Sequence, residues 1–584
     1  MRKFVLVDHS LRRLGGHHYP YACCVLEAAE RAGFQPVLAT HRGFRDRDAV
    51  PPGWRLHPLF RRESYSRYTL DIQALGGDAT GRVGGGQARD GPRGERQGGD
   101  GRADAGWWAR CREAIAQRAR ARHAAAFAKD CARLFGLEPV GDGDIVLFAT
   151  TSELDLAGLA SWLATRAPPT GSGGGPDWHA QFHFGLYGGR DPGYARQRPG
   201  AARLQAVFAR ALAQATGHRL HVHCTTPQLA AQYDTLGVAR FGVLPYPVHE
   251  RFVPRELPAP PAPVRIACLG HSRREKGYGQ LPELLRSLWP AWLAAGRARL
   301  VLQTHRGKQR RGFDALLAQL GRGTPAAPGA LPIEYAGFPL PLAEYVQLLR
   351  HSDLGLLLYD ATRYYARCSG VLLEMLCAGV PVLVPAGSWL AEQVEPINQQ
   401  WLDRCAASLG NVQPVGAGRT LDVPPGTRSL LLAFAWEFPA TPGRYLRVRA
   451  ACAGRSIATD VVGARAGGEP VRVAIALPGD TTQLDLELDA AWEPGAAPPA
   501  RLQGWQASAS RLAAGRIGLT LAGEGGLAPA VDELLAQHAH YQAGAREHAA
   551  EFRHQHSGAR VIETLLAANM PASEPPARHD PALP

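Results

Sequence analysis

The chain opens on a short apolar run, KFVLVD (3–8), followed by a loop holding Leu14, Gly15 and Gly16. A stretch of helical spacing comes next, over 17–33, and it stops at Gly33. Glycine often ends a helix because it adopts the left-handed backbone without steric cost. A second apolar run, 36–40, completes a strand, helix, strand unit. The same alternation returns at 144–150, 178–186, 220–224 and 241–244, with helical patterns between. Strands alternating with helices predict a parallel sheet covered on both faces.

A Pro-rich stretch near 254–263 (PRELPAPPAP) suits a connector between domains. The alternation then restarts with VRIACLG (264–270), and strands are predicted at 298–305, 333–337, 354–359 and 380–385. From about 411 to 510 the period changes to two. In LDLELDA, Leu484, Leu486 and Leu488 alternate with Asp485, Glu487 and Asp489; in VRVAIAL, Val471, Val473, Ile475 and Leu477 share one face. Turns at PG, GGEP and PGD separate these runs, as in an antiparallel sandwich. A strand at 517–521 and helical periodicity over 527–566 follow. The expected fold is therefore α/β, with two Rossmann-like, doubly wound domains and an inserted all-β sandwich. Residues 1–250 form the first domain, 264–400 plus 515–570 the second, and 411–510 the insertion.

Composition adds limits to this picture. At 584 residues the chain is too long for one core, which stops growing at roughly 250 residues. Residues 76–106 are so rich in glycine and charge that they cannot bury enough apolar surface to offset ordering, and they are expected to be a disordered loop. A shorter loop is expected at 167–176 and a disordered tail at 571–584. The net charge of +13 suits anionic partners, but the arginines are scattered and no basic run is interleaved with aromatics, so no nucleic-acid partner is expected. The ten cysteines contain no C-x-x-C pair and read as reduced, buried thiols. The first apolar run is too short for a secretory signal, and no apolar stretch reaches the roughly 18 residues a membrane span needs. The expected location is the cytoplasm, with peripheral attachment to the inner face of the membrane left open.

Two sheets of this kind bind ligands at the carboxyl ends of their strands, so the chemistry belongs in the loops that follow them. GHSRREKG (270–277) places Arg273, Arg274 and Lys276 between a strand and a helix, with glycine at both ends. Such a loop either holds a diphosphate and neutralises its growing charge or is a solvated basic turn. In YYARCSGVLLEMLCAGVPVLVP (364–385), Ser369 and Gly370 open a helix whose free N–H groups favour a phosphate, and Glu374 lies one turn further in, where a carboxylate can accept hydrogen bonds from a ribose diol. The plainer alternative is a helix cap and a surface glutamate. In the first half, His17, His18, His179 and His183 are the polar residues of interest, His17 and His18 because they follow the glycine loop.

The order GHSRREKGY, IEYAGFPLPLAEYVQLLRHSDLGLLLYD and SGVLLEMLCAGVPVLVP resembles the donor-binding half of glycosyltransferase family 4, retaining enzymes of the GT-B fold. The likeness covers about 264–400 well and 515–568 loosely, while 1–250 match in layout. It implies that Lys276 is the diphosphate-binding lysine, that Glu374 meets the ribose, and that Gly337 with Phe338 forms the loop beside the base. Gly15 and Gly16 would lie near the sugar phosphate, and a histidine such as His183 near the sugar. Two departures stand out: Ala366 replaces the first glutamate of the family's E-x7-E motif, and His271 replaces its arginine, for which Arg273 or Arg274 can substitute.

The expected activity is transfer of a sugar, with retention, from a UDP- or GDP-sugar to a glycan, lipid-linked or other hydroxyl acceptor in bacterial glycan or polysaccharide synthesis. Lys276, Arg273 and His183 would serve the chemistry. Tyr365 or Arg367 would then recognise the sugar in place of the missing glutamate. The main alternative is a non-catalytic GT-B glycan-binding or scaffold protein; a GT-B epimerase is a third reading, but its catalytic carboxylates cannot be picked out. No D-x-D pair sits at a strand end in either Rossmann-like half and no His/Cys cluster has metal spacing, so no metal is expected. Trp436, Trp492 and Trp505 of the insertion either bind a glycan or pack its core.

Overall fold

A computed structural model of the 584-residue chain describes residues 1–65, 69, 102–168, 174–189, 197–256, 263–270, 272–304, 306–409, 413–414, 420–436, 445–463, 470–490, 500–509, 515–522 and 526–568. The first alternating region forms one seven-stranded parallel sheet. Its strands are β1 (Lys3–Asp8), β2 (Gln35–His41), β3 (Arg55–Phe60), β4 (Ile145–Thr151), β5 (Asp177–Phe182), β6 (Leu220–Cys224) and β7 (Gly242–Val243), in the order β3-β2-β1-β4-β5-β6-β7. Strand β1 is central, paired with β2 and β4, and its residues from Phe4 to Val7 are fully buried. Strand β3 lacks a clean apolar pattern, since RLHPLF buries only its last two residues.

The second region supplies β8 (Val264–Cys268), β9 (Ala298–Gln303), β10 (Ile333–Ala336), β11 (Leu354–Leu356) and β12 (Val382–Pro385), all parallel. The chain then leaves for the insertion: β13 (Gln413–Pro414), β14 (Thr420–Asp422), β15 (Ser429–Trp436), β16 (Tyr445–Cys452), β17 (Arg455–Gly463), β18 (Val471–Ala476), β19 (Gln483–Ala490) and β20 (Ala500–Ser508). These make two antiparallel four-stranded sheets, β13-β20-β15-β18 and β14-β19-β16-β17. Leu430, Leu432 and Phe434 of one sheet pack against Leu446, Val448 and Leu484 of the other. Val471, Val473, Ile475 and Leu477 all enter this core, as their alternation predicts. Afterwards β21 (Gly518–Leu521) pairs in parallel with β12 and completes the order β10-β9-β8-β11-β12-β21. The α/β class with two doubly wound sheets and an all-β insertion is thus the one expected.

Several details differ from expectation. Helix Arg102–Leu137 begins inside the segment expected as loop through 106; residues 76–101 lie outside the described residues, as do 169–173, 257–262, His271, Trp492 and the tail at 571–584. Strand β5 ends at Phe182, short of 186, and this leaves His183 just past its carboxyl end. The last helix, Gly558–Ala568, crosses back to pack on the first helix, His18–Arg31, where a Cβ at Gly558 would collide with the backbone of Cys24. Burial of Val561, Ile562 and Leu565 there is worth roughly 1.5–3 kcal/mol each.

The sandwich is fixed to the second sheet by charge as well as packing. Arg516, just before β21, is 3% exposed and pairs with Asp460 of β17 at 3.1 Å and with Glu533 at 3.2 Å. Tyr541 donates to Glu533 at 2.7 Å. No helix among the described residues is long and apolar enough to cross a membrane.

Candidate active site

The carboxyl ends of β1 and β8 face one another across the seam between the two sheets. On the first side, β1 delivers Asp8, which is 1% exposed, to the start of the first helix. His18 Nδ1 lies 2.9 Å from its carboxylate. Burial opposes ionisation of both groups, but their mutual attraction outweighs it: Asp8 is held below and His18 above its ordinary pKa. His17 stacks on His18 with ring centroids 4.1 Å apart. Tyr65 stands edge-on to His18 at 5.9 Å and to Phe184 at 5.4 Å. The preceding residue anchors it: Ser64 donates to the Thr150 carbonyl at 2.7 Å and lies 2.6 Å from His9 Nε2.

On the second side, β8 runs into Gly270, whose positive φ of 93° suits glycine. Its N–H donates to Gln303 at 2.7 Å. The 3-10 turn Arg274–Lys276 follows. Lys276 Nζ donates to the Tyr359 hydroxyl at 3.0 Å and sits 4.7 Å from that ring's centroid. No carboxylate lies within ion-pair distance of it among the described residues, and burial lowers its pKa. Ser369 adjoins Tyr359 and caps helix Gly370–Cys377 by accepting from the Leu372 N–H at 3.3 Å. Glu374, 7% exposed, accepts from the Tyr345 hydroxyl at 2.7 Å. Burial pushes its pKa up to about 7, against the pull of Tyr345 and Lys276.

The two sides meet at the glycine loop. A Cβ on Gly15 would lie 2.6 Å from the Cβ of Pro339 and 3.3 Å from the Leu340 carbonyl, so only glycine lets this loop approach Gly337, Phe338 and Pro339 so closely. Gly337 is itself held by Gln303, which donates to its carbonyl at 3.0 Å. Proximity across the cleft shows electrostatically as well. Enclosure and then His18 depress the pKa of His17, and Lys276 of the opposite sheet adds to this. Tyr65 likewise senses Arg273.

Lys276, Ser369, Gly370 and Glu374 therefore share one wall, Gly337 and Phe338 lie at its edge, and Gly15, Gly16 and His17 oppose it. Arg273 and Arg274 are exposed, and Arg273 is 3.4 Å from Glu275 rather than against Tyr359. His183 donates to the Ala149 carbonyl at 2.6 Å and is held neutral by burial, its pKa pushed down to about 4. His179 stands in the sheet, 3.0 Å from His223, and belongs to the core. Ala366 is 2% exposed, packs into the first domain's core and accepts from the Thr226 hydroxyl at 2.6 Å. A glutamate there would have to enter that core. Asp8, Tyr65, Tyr345 and Tyr359 were not singled out from the sequence. Only Asp8 carried a signal, as a carboxylate that ends an apolar strand.

No known protein family matches the sequence, and no curated protein matches it. Solved structures resemble the chain weakly. An E. coli trehalose-6-phosphate protein bound with UDP-2-fluoro glucose is 12% identical, with 68% of this chain and 86% of that one covered and a TM-score of 0.43. The UDP-forming trehalose-phosphate synthase of Burkholderia xenovorans is 14% identical over 68% and 86%, with a TM-score of 0.40. Anabaena HepE in complex with UDP and glucose is 13% identical over 68% and 83%, with a TM-score of 0.38. Likeness of this size leaves function to the chemistry of the site.

Proposed function

We propose that the chain is a GT-B glycosyltransferase, similar to family 4, that moves a sugar with retention from a UDP- or GDP-sugar to a hydroxyl acceptor in bacterial glycan synthesis. The observation that carries this reading is Lys276: a half-buried ammonium with no carboxylate partner among the described residues, beside the free end of a capped helix and facing a glycine loop. A cation held in place with no anion is arranged to receive one, and its value grows as charge builds on a leaving diphosphate. In this reading the Gly370 end of the helix binds the same phosphates. Glu374 accepts from the ribose diol, and Gly337 with Phe338 flanks the base. The Gly15 and Gly16 loop closes over the sugar phosphate, and the Asp8–His18 pair and His17 face the sugar and acceptor. Arg273 lies where a long flexible side chain can swing in once the diphosphate is bound. The acceptor is a glycan, a lipid-linked sugar or another hydroxyl compound, and in the last case but one the enzyme works at the inner membrane face.

The buried Ala366 favours a second reading, a glycan-binding or scaffold protein that kept the fold without transfer. Incubating the protein with UDP- and GDP-sugars and following release of the nucleoside diphosphate separates the two. Release, whether to water or to added sugar acceptors, supports transfer. Nucleotide binding without any release supports the scaffold reading, and neither binding nor release overturns both.

A further inference from the structure

The cleft wall formed by the first sheet is aromatic. Phe184, Tyr65, His18 and His17 touch in series, with ring centroids 5.4 Å, 5.9 Å and 4.1 Å apart. They come from the carboxyl ends of three strands: Phe184 follows β5, Tyr65 follows β3, and the two histidines follow β1. Tyr65 is 48% exposed, and no other Phe, Tyr or Trp is exposed among the described residues. Burial nevertheless raises its pKa, while Arg273 of the second sheet pulls the other way. The ring is therefore open but recessed, and it looks into the cleft.

Covering an aromatic ring removes apolar surface from water, so a fold that leaves one open forgoes that gain. Here the open position is held from behind. Ser64, fully buried, donates to the Thr150 carbonyl at 2.7 Å, lies 2.6 Å from His9 Nε2, and gives its N–H to Ser10 Oγ at 3.2 Å. His9 Nε2 lies 3.2 Å from Asp155, whose carboxylate is 2.8 Å from His123 Nε2. This buried network fixes the chain just before Tyr65, which lessens the entropy lost when a ligand covers the ring.

The groups beside the ring select the ligand. His18 gives Nδ1 to Asp8; its Nε2 has no partner among the described residues and is not enclosed, the side chain being 15% exposed. His17 is exposed, and its ring makes no hydrogen bond among the described residues. The charges nearby are matched: Asp8 with His18, Glu63 with Arg12 at 2.7 Å, and Arg273 with Glu275. An anion would find no unmatched cation on this wall, and a purely apolar ligand would cover His18 Nε2 without satisfying it.

We infer that Tyr65 selects the acceptor, and that the acceptor is a neutral sugar whose C–H face lies on the Tyr65 ring while its hydroxyls reach His18 Nε2 and His17. This rests on the transferase reading of the cleft and narrows the acceptor from any hydroxyl compound to a sugar. A sugar ring has an apolar face and a polar edge, and an aromatic ring beside imidazole nitrogens complements both.

The test combines calorimetric titration of UDP and GDP with saturation-transfer NMR on the full chain in their presence. The NMR probes are methyl glycosides of glucose, galactose, mannose and N-acetylglucosamine, with glycerol and phenol as controls. At least one glycoside should give a saturation signal and bind Tyr65→Ala at least about tenfold more weakly, as fits the loss of one aromatic contact. Tyr65→Phe keeps the ring and should stay within about threefold of wild type. Nucleotide affinity and melting temperature should be the same in all three proteins, because an exposed ring supports no core. Nucleotide binding with no glycoside signal, with a signal from phenol or glycerol alone, or with glycoside affinity unchanged in Tyr65→Ala would overturn this inference and leave the donor reading standing. Glycoside binding through Tyr65 with no nucleotide binding would overturn the donor reading and the acceptor role together, leaving a glycan site without a donor.

Discussion

Substituting Gly15 by alanine probes the cleft most sharply, because the structure supplies the size of the effect. The added Cβ would lie 2.6 Å and 2.9 Å from the Cβ and Cγ of Pro339. Ordinary carbon contacts are about 3.5–4.0 Å, so the two loops must part by about 1 Å. Overpacking of this kind costs roughly 1–3 kcal/mol. The strain lies between the sheets rather than within either one, so opening of the cleft relieves it while each core stays intact. Closure around the donor becomes less favourable by that amount, which corresponds to roughly a 5–150-fold loss. Gly15→Ala should therefore lower kcat/KM for nucleotide-sugar turnover within that range. Its melting temperature should stay within a few degrees of wild type, and solution scattering should show a slightly larger radius of gyration. Unchanged turnover with unchanged scattering would mean that the loops do not touch in the working protein, and the geometry of the cleft would be wrong. A large drop in melting temperature would place Gly15 in a core instead.

Two predictions follow from protonation. Glu374 has a pKa raised to about 7, and a carboxylate accepts from a ribose diol best when ionised, so affinity for an intact nucleotide sugar should rise as pH increases. One proton linked to binding through a pKa near 7 gives about a tenfold gain between pH 6 and 8, and Glu374→Gln should flatten the dependence in calorimetric titrations. A flat profile in the wild type, or an equal slope in the variant, would remove Glu374 from the site. Separately, the rings of buried His223 and half-buried His556 are enclosed enough that desolvation pushes their pKa values down to about 4, against an ordinary 6.5. The unfolded chain therefore takes up protons first as the pH falls, so stability is full above about 6.5 and is lost between there and about 4. Each such group contributes up to about 1.4 kcal/mol per pH unit, and melting temperature should fall steeply over that window. A melting temperature level from pH 6.5 to 4.5 would show that these rings are not buried as neutral groups.

Periodicity carried most of the fold. Strands such as β1 and β12 are short apolar runs bounded by turn residues, and a buried parallel strand must look like that. The insertion was legible for the opposite reason: a sheet with one face on a core alternates strictly, as 471–477 do. Strand β3 escaped because only its last two residues are fully buried and its first four mix polar with apolar types, and the helix from Arg102 begins in residues whose composition masks helical spacing. The site was legible only where local sequence is tied to backbone geometry, as at Gly270, Lys276 and the Ser369 cap. Tyr345 and Tyr359 touch Glu374 and Lys276 through tertiary packing alone, across 29 and 83 residues of sequence, and no local pattern marks such partners. The fate of Ala366 was hidden in the same way, since it is buried in the first domain's core, where the Thr226 hydroxyl, 140 residues away in sequence, donates to its carbonyl.

Calorimetric titration of UDP and GDP into the wild type and Lys276→Ala tests the central claim most directly. A hydrogen bond to a charged group is worth about 1.5–3 kcal/mol, so the variant should bind the preferred nucleotide roughly 10–150-fold more weakly, with an unchanged melting temperature in the absence of ligand. A wild type that binds neither nucleotide, or a variant that binds as tightly as the wild type, would contradict the account.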